Sequence, residues 1–226
     1  AGNIQHQAFV DTVIAKEFDA CWRPAEKADQ VFRQIPAHNA AQSIVQLKNL
    51  EQTHLLFSAY CQPLDHPSRY ALALLNVLLG GNMSSRLFQK LREQKGLAYS
   101  IYSFVDTMSD AGTLSIYAGV GPQNIQQACA MIYDVVGSLY KNISQDEVDR
   151  ARNYARAGMY LASDSMEARM TRLAKNELYL QRYYSLQEVD EALSGLTLED
   201  VVSIAGTIFQ TPMSSVFLGP GKLREL

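Results

Sequence analysis

The chain has 226 residues, of which 47% are hydrophobic and 19% are charged, and its formal net charge at pH 7 is -3. This balance is typical of globular proteins, and the small negative charge favours neither a nucleic-acid partner nor a membrane surface. No apolar run approaches the ~20 residues that a membrane-spanning helix needs. These features predict a soluble protein, cytoplasmic or periplasmic if its source is bacterial.

The first 41 residues predict a segment separate from the main domain. Apolar residues recur at helical spacing over residues 4–18, which indicates an amphipathic helix. From Cys21 to Ala41 this period is lost and prolines occur, so the stretch predicts a linker on a surface. We therefore place a domain boundary between residues 41 and 42, with one domain over residues 42–226.

This domain begins with two predicted β-strands, over residues 44–47 and 53–61, which a polar turn joins. The second strand has few polar residues, so we expect it to lie inside a sheet. Asp65 as N-cap and Pro67 in the first turn predict the start of a helix. A pair of glycines at residues 80–81 ends it.

The next stretch predicts a helix, a tight turn and two strands. Ser84 or Ser85 is suited to cap the helix, and Gly96 is suited to the left-handed backbone of a helix C terminus. Residues 99–107 and 113–120 are rich in β-branched and aromatic side chains, which favours strands.

The second half of the chain predicts mainly helices. Capping-box patterns, in which a Ser or Thr and an acidic residue satisfy each other's amides, begin at Ser144, Ser185 and Thr197. A long helical run covers residues 146–184, with a break near residue 164, and residues 214–218 form a last strand. This order predicts an α+β fold, a mainly antiparallel sheet with a layer of helices on one face.

The run at residues 92–99, Arg-Glu-Gln-Lys-Gly-Leu-Ala-Tyr, resembles the C-terminal-half signature of pitrilysin-like (insulinase-family) zinc peptidases. The preceding Leu-Leu-Gly-Gly-Asn-Met-Ser-Ser-Arg-Leu-Phe is similar to the same family, in the branch of the mitochondrial processing peptidase. The resemblance covers residues 40–220 in outline. It implies that residues 1–41 are a remnant of a preceding domain plus a linker, and that two such halves close around a chamber.

The resemblance implies that Arg92 and Tyr99 are the catalytic and substrate-binding residues of this half. Taken alone, Arg92 is a solvated cation at a helix end and Tyr99 is a half-buried strand aromatic. In a peptidase, however, a phenol hydroxyl can donate to the oxygen of an attacked carbonyl, and a guanidinium can bind the peptide backbone.

The zinc motif of the family, an inverted His-x-x-Glu-His on a helix, is absent from this chain. None of the four histidines has a partner at that spacing; they are His6, His38, His54 and His66. We expect His54 to be a hydrogen-bonded core residue. The cysteines, at positions 21, 61 and 129, are scattered and predict buried or neutral thiols. We therefore predict no metal ligand in this chain.

The resemblance thus implies the C-terminal domain of a zinc-dependent metalloendopeptidase that is catalytically incomplete by itself. Zinc would be bound by the missing N-terminal half or by a partner subunit, the substrate would be a peptide, and the full-length protein could be a homodimer. One alternative is a non-catalytic member of the same fold that serves assembly, like the core subunits of a respiratory complex. A third is an isolated interaction domain, which would not need the Arg-Tyr pair.

Overall fold

The computed structural model describes residues 4–18 and 40–220, and its centre is a five-stranded sheet. The strands are β1 Ser43–Leu47, β2 Thr53–Cys61, β3 Ala98–Thr107, β4 Gly112–Val120 and β5 Ser214–Gly219. All five were predicted, and each observed end lies within one residue of its predicted position.

The order of the strands in the sheet is β1-β5-β2-β4-β3. β2 is antiparallel to both β4 and β5, and β3 is antiparallel to β4. The central place of β2 is therefore confirmed. A short turn joins β1 to β2 as predicted, but the two strands are not neighbours in the sheet, because β5 lies between them and pairs with β1 in parallel. Phe217 of β5 packs edge to face on Phe57 of β2, with ring centroids 5.8 Å apart. This aromatic contact stabilises β5 in its position beside β2.

The described part of the chain contains eight helices. They are α1 (residues 6–18), α2 Arg69–Leu79, α3 (residues 86–94), α4 Ile125–Asn142, α5 Gln145–Ser163, α6 (residues 166–180), α7 Leu186–Gly195 and α8 Leu198–Phe209. The three predicted capping boxes are present at the starts of α5, α7 and α8. The predicted break near residue 164 is also present, with Ser165 as the N-cap of α6.

The start of α2 differs from the prediction. The helix begins at Arg69, with Ser68 as its N-cap, rather than at Asp65 and Pro67. The amide of Ser68 donates to Nδ1 of His66 at 3.2 Å, which forms a local turn ahead of the helix. Asp65 instead lies 3.8 Å from the guanidinium of Arg69.

The start of α3 also differs. The carbonyl of Ser85 accepts the first helical bond, from the amide of Gln89 at 3.0 Å, but its hydroxyl donates to the carbonyl of Asn82. The side chain of Asn82 accepts from the amide of Ser84 at 2.7 Å. The loop before α3 is therefore closed by Asn82, which sequence reasoning did not single out.

The helices cover one face of the sheet. Alternate residues of β2 are buried under them, at positions 53, 55, 57 and 59. Leu74 of α2, Ile132 of α4 and Ala205 of α8 are fully buried in the same core. The other face carries exposed aromatic side chains, among them Tyr102 and Phe104. We call this second face the open face, and the predicted α+β fold is confirmed.

The described residues ahead of the sheet hold α1, which is present as predicted. Its apolar side chains, such as those of Phe9 and Phe18, are exposed. The predicted linker falls mostly on residues 19–39, which lie outside the described residues. The division between residues 41 and 42 stays a prediction.

Among the described helices, none is by itself long and apolar enough to cross a membrane. α7 and α8 meet the criteria of length and composition only when taken together, and the chain bends by 86° between them.

Candidate functional site

The turn between α3 and β3 is built around Gly96. Its φ is +59°, in the left-handed region that glycine adopts without strain. The amide of Gly96 donates to the carbonyl of Arg92 at 3.1 Å, and the amide of Leu97 donates to the carbonyl of Leu91 at 2.8 Å. The predicted role of Gly96 as the end of the helix is thus confirmed, and α3 runs directly into the strand.

Tyr99 is the extra residue of a β-bulge. The register of β3 with β4 passes from Ala98 opposite Val120 to Ser100 opposite Gly119, so Tyr99 has no partner across the pair. A bulge re-aims the side chain that it carries. The side chain of Tyr99 is 62% exposed, and its hydroxyl has no hydrogen-bond partner among the described residues. The sequence predicted the strand but not this bulge.

Arg92 lies in the last turn of α3, which is π-helical over Phe88–Gln94. Its guanidinium carbon is 5.2 Å from the centroid of the Phe88 ring, a favourable cation–π contact. It forms no ion pair within residues 4–18 and 40–220. The charge of Arg92 is therefore exposed to solvent and restrained by an aromatic ring.

Arg92 and Tyr99 thus lie on the two flanks of one short turn, and both reach solvent. Their convergence on one rim of the sheet, and their catalytic and substrate-binding roles, stay predictions.

A close contact between α2 and β3 supports this strand from behind. The amide of Ser103 donates to the carbonyl of Gly80 at 3.2 Å, and its hydroxyl donates to Oδ1 of Asn76 at 2.7 Å. A Cβ on Gly80 would lie 2.5 Å from the amide nitrogen of Ser103, so only glycine fits. The sequence indicated Gly80 as the end of a helix, but it did not predict this close contact with Ser103.

A hydrogen-bonded aromatic cluster lies on the open face of the sheet. Nδ1 of His54 is 2.7 Å from the hydroxyl of Tyr117, and the ring of Tyr117 is 5.0 Å from that of Tyr102. His54 is hydrogen-bonded as predicted, but its assignment to the core is wrong, because it is only half-buried on the open face. Because β2 is apolar along most of its length, its sequence does not show which residues face the helices and which face the open side.

An ion pair anchors the start of α3. Nε and Nη2 of Arg86 donate to the two carboxylate oxygens of Glu147 at 2.6 and 2.7 Å. Burial raises the pKa of the Glu147 carboxyl, but hydrogen bonds from Arg86 and from Ser144 outweigh burial and lower the pKa to about 2. The sequence predicted Glu147 only as part of a capping box.

The described residues do not offer a metal site. No group of three His, Cys, Asp or Glu side chains lies close enough to hold a metal ion in this part of the chain. Burial raises the pKa of the Cys61 thiol to about 12 and that of Cys129 to about 11, so both stay neutral at physiological pH. Cys21 lies outside the described residues.

Comparison with known families supports the resemblance at the level of the family, while the branch within it stays a prediction. Residues 1–154 match the family model described as the peptidase M16 inactive domain. A Bacillus subtilis protein named an uncharacterized zinc protease is 34% identical over 180 residues, which is 79% of this chain and 44% of that protein. A Rickettsia felis protein with the same kind of name is 28% identical over 225 residues, 99% of this chain and 53% of that protein. The chain thus spans about half the length of these relatives.

Solved structures agree with the fold. A protease from Helicobacter pylori has a TM-score of 0.82 and 24% identity, over 96% of this chain and 53% of that chain. A peptidase M16 inactive domain from Pseudomonas fluorescens has a TM-score of 0.75 and 25% identity, over 85% of this chain and 47% of that chain. A chain of Complex III from Candida albicans has a TM-score of 0.80 at 17% identity, over 97% and 54% of the two chains, and shares the fold alone.

Proposed function

The chain belongs to the peptidase M16 family, and we propose that it forms the C-terminal half of a zinc-dependent metalloendopeptidase. In this proposal Arg92 and Tyr99 bind the peptide substrate and stabilise the oxyanion of proteolysis. The observation that carries it is the exposed hydroxyl of Tyr99, which a β-bulge directs out of the sheet without a partner among the described residues.

Tyr99 supplies the donor. The oxygen of a peptide carbonyl becomes negatively charged when the carbon is attacked, and a hydroxyl placed beforehand stabilises that charge without rearrangement. No internal hydrogen bond within the described residues has to break before Tyr99 donates. Such a donor is worth about 3 kcal/mol in comparable oxyanion sites.

Arg92 holds the peptide. A guanidinium presents a fixed fork of donors, and it can bind a backbone carbonyl of an extended substrate. Its contact with the ring of Phe88 limits its rotamers, so less side-chain entropy is lost when the peptide binds. The role of Arg92 is therefore to position the substrate beside Tyr99.

The zinc would lie outside this chain. The relatives are named zinc proteases and are about twice as long as the matched region, whereas the described residues hold no group that fits a metal ion. An N-terminal half or a partner subunit would bind it, and a homodimer of the full-length protein would be one such arrangement. The exposed aromatic side chains of the open face suit a surface that faces this second half.

The test is the Tyr99→Phe variant in the complete peptidase, which comprises this chain and the zinc-binding half. The substitution removes one donor at nearly constant shape, so kcat/KM should fall about ten- to a thousand-fold. Tyr179→Phe is the matched control, because Tyr179 is 52% exposed and lies on α6 rather than on the sheet. It should leave kcat/KM unchanged.

Thermal unfolding of both variants should match that of the parent protein, since neither hydroxyl has a hydrogen-bond partner among the described residues. Full activity of the Tyr99→Phe variant would remove the catalytic assignment. Absence of peptidase activity from the complete parent protein would instead favour the alternative, a non-catalytic member of the fold that serves assembly.

A further inference from the structure

Arg86, at the first residue of α3, has an unusually complete set of partners for a side chain near the surface. Besides its two bonds to Glu147, Nη1 donates to Oδ1 of Asn142 at 2.5 Å and Nη2 donates to the carbonyl of Asn142 at 2.8 Å. The side chain is only 15% exposed. One residue thus ties the start of α3 to the end of α4 and the start of α5.

We propose that Arg86 is a positioning residue for Arg92 and Tyr99, acting by fixing the helix that carries Arg92 and leads into the strand that carries Tyr99. This inference rests on the proposed function. It assigns to Arg86 a role in geometry and not in contact with substrate.

The construction of α3 makes this anchor necessary. The helix has nine residues, and within it only Leu87 and Leu91 are fully buried. Its other ion pair, Lys90 with Asp134 at 3.4 Å, is exposed on both sides and contributes little. The fork of Arg86 is therefore the main polar restraint on the direction of α3.

A short stretch of chain, anchored in the core, connects α3 to Tyr99. From Arg92 the chain turns at Gly96, then places Leu97 and Ala98 in the core, where they are 5% and 6% exposed, and reaches Tyr99. Because buried residues flank the turn on both sides, a shift of α3 would also displace the β-bulge at Tyr99. A displacement of about 1 Å at a reacting group can cost about 100-fold in rate.

The chain contains a matched ion pair in another place. Nε and Nη2 of Arg156 donate to the two carboxylate oxygens of Asp190 at 2.5 and 2.9 Å, in the same forked geometry. This pair joins α5 to α7, neither of which carries Arg92 or Tyr99. Loss of either fork should destabilise the fold, but only loss of the first should disturb the site.

The experiment compares Arg86→Lys with Arg156→Lys in the complete peptidase, since lysine keeps the charge but cannot form the fork. At a temperature where all variants are fully folded, Arg86→Lys should lower kcat at least ten-fold, and Arg156→Lys should change it less than two-fold. Hydrogen exchange of the amides in residues 95–101 should be faster in Arg86→Lys only. Asn142→Ala, which removes a single acceptor, should show the same pattern more weakly and serves if Arg86→Lys does not fold.

Equal kcat for the two lysine variants would overturn the proposal, and so would unchanged exchange over residues 95–101 in Arg86→Lys and Asn142→Ala. Failure of the proposed function is separate, because it would appear as full activity of Tyr99→Phe. Faster exchange in Arg86→Lys with no loss of kcat would show an anchor of α3 that does not serve catalysis, and would also overturn the proposal.

Discussion

The ion pair between Arg86 and Glu147 predicts a specific dependence of stability on pH, which the Glu147→Gln variant can expose. An ordinary glutamate carboxyl has a pKa of 4.5, and that of Glu147 is about 2. At about 1.4 kcal/mol per pH unit this difference corresponds to ~3.4 kcal/mol. Solvent reaches the pair, whose side chains are 15% and 21% exposed, so we expect ~2 kcal/mol after screening.

The sign follows from the direction of the pKa. Because the folded carboxyl has the lower pKa, its contribution is fully present above pH 4.5 and is lost as the pH falls towards 2. The parent protein should therefore be ~2 kcal/mol more stable than Glu147→Gln at pH 7, with less than half of this difference left at pH 3. Urea unfolding of both proteins at several pH values between 3 and 7 measures it.

The second capping box provides the control. Glu188 caps α7 together with Ser185, as Glu147 caps α5 together with Ser144, but its arginine partner, Arg182, is 58% exposed. Glu188→Gln should thus cost clearly less stability than Glu147→Gln at pH 7. A loss in Glu147→Gln that is the same at pH 3 and pH 7 would refute the reasoning, because it would come from the shape of the amide and not from the charge.

Three further predictions concern other parts of the chain. Gly96→Ala should cost about 1 kcal/mol or more in the free energy of unfolding, because its φ of +59° strains any residue with a Cβ; an unchanged urea midpoint would contradict this. Cys61 and Cys129 should resist alkylation at pH 8 in the native protein, since burial raises both thiol pKa values, and mass spectrometry after iodoacetamide treatment would reveal any rapid labelling that argues otherwise. The chain by itself should bind far less than one zinc and cleave no peptide; elemental analysis that finds one tightly held zinc per dialysed chain would disprove the placement of the metal site elsewhere.

Local signals in the sequence predicted the elements of the fold well. Ser144, Ser185 and Thr197 begin helices as their capping boxes indicate, and Gly96 ends α3. Each of these signals involves residues within one helical turn of each other. Their contacts can therefore be inferred from the sequence without knowledge of the tertiary structure.

Long-range pairing was not predictable in the same way. The turn between β1 and β2 has ordinary hairpin composition, yet β5 enters between the two strands. The position of β5 between them goes with the burial of Phe217 in the core, and the sequence around β1 contains no signal of this distant contact. For the same reason the partner of Arg86, 61 residues away in sequence, could not be inferred.

The sequence proposed the two residues of the candidate site, whose roles stay predictions, but it did not indicate the local geometry in which they lie. The spacing of Arg92 and Tyr99 came from a family signature, whereas the bulge that directs Tyr99 outwards depends on how β3 meets β4. A single extra residue near the start of a strand does not change the residue types along it, so the sequence of β3 did not indicate the bulge.

The position of β5 has a consequence for how this domain is synthesised. Ser43 and Ser215, which share a hydrogen bond, are separated by 172 residues, so β1 must wait for almost the whole domain to leave the ribosome before it has a partner. Until then one edge of β2 is also unpaired, although β4 can already cover the other. Closing such a long loop makes folding slow, and an open apolar strand edge invites pairing with other chains meanwhile. Chains that end before residue 214 would therefore lack the strand that covers this edge of β2.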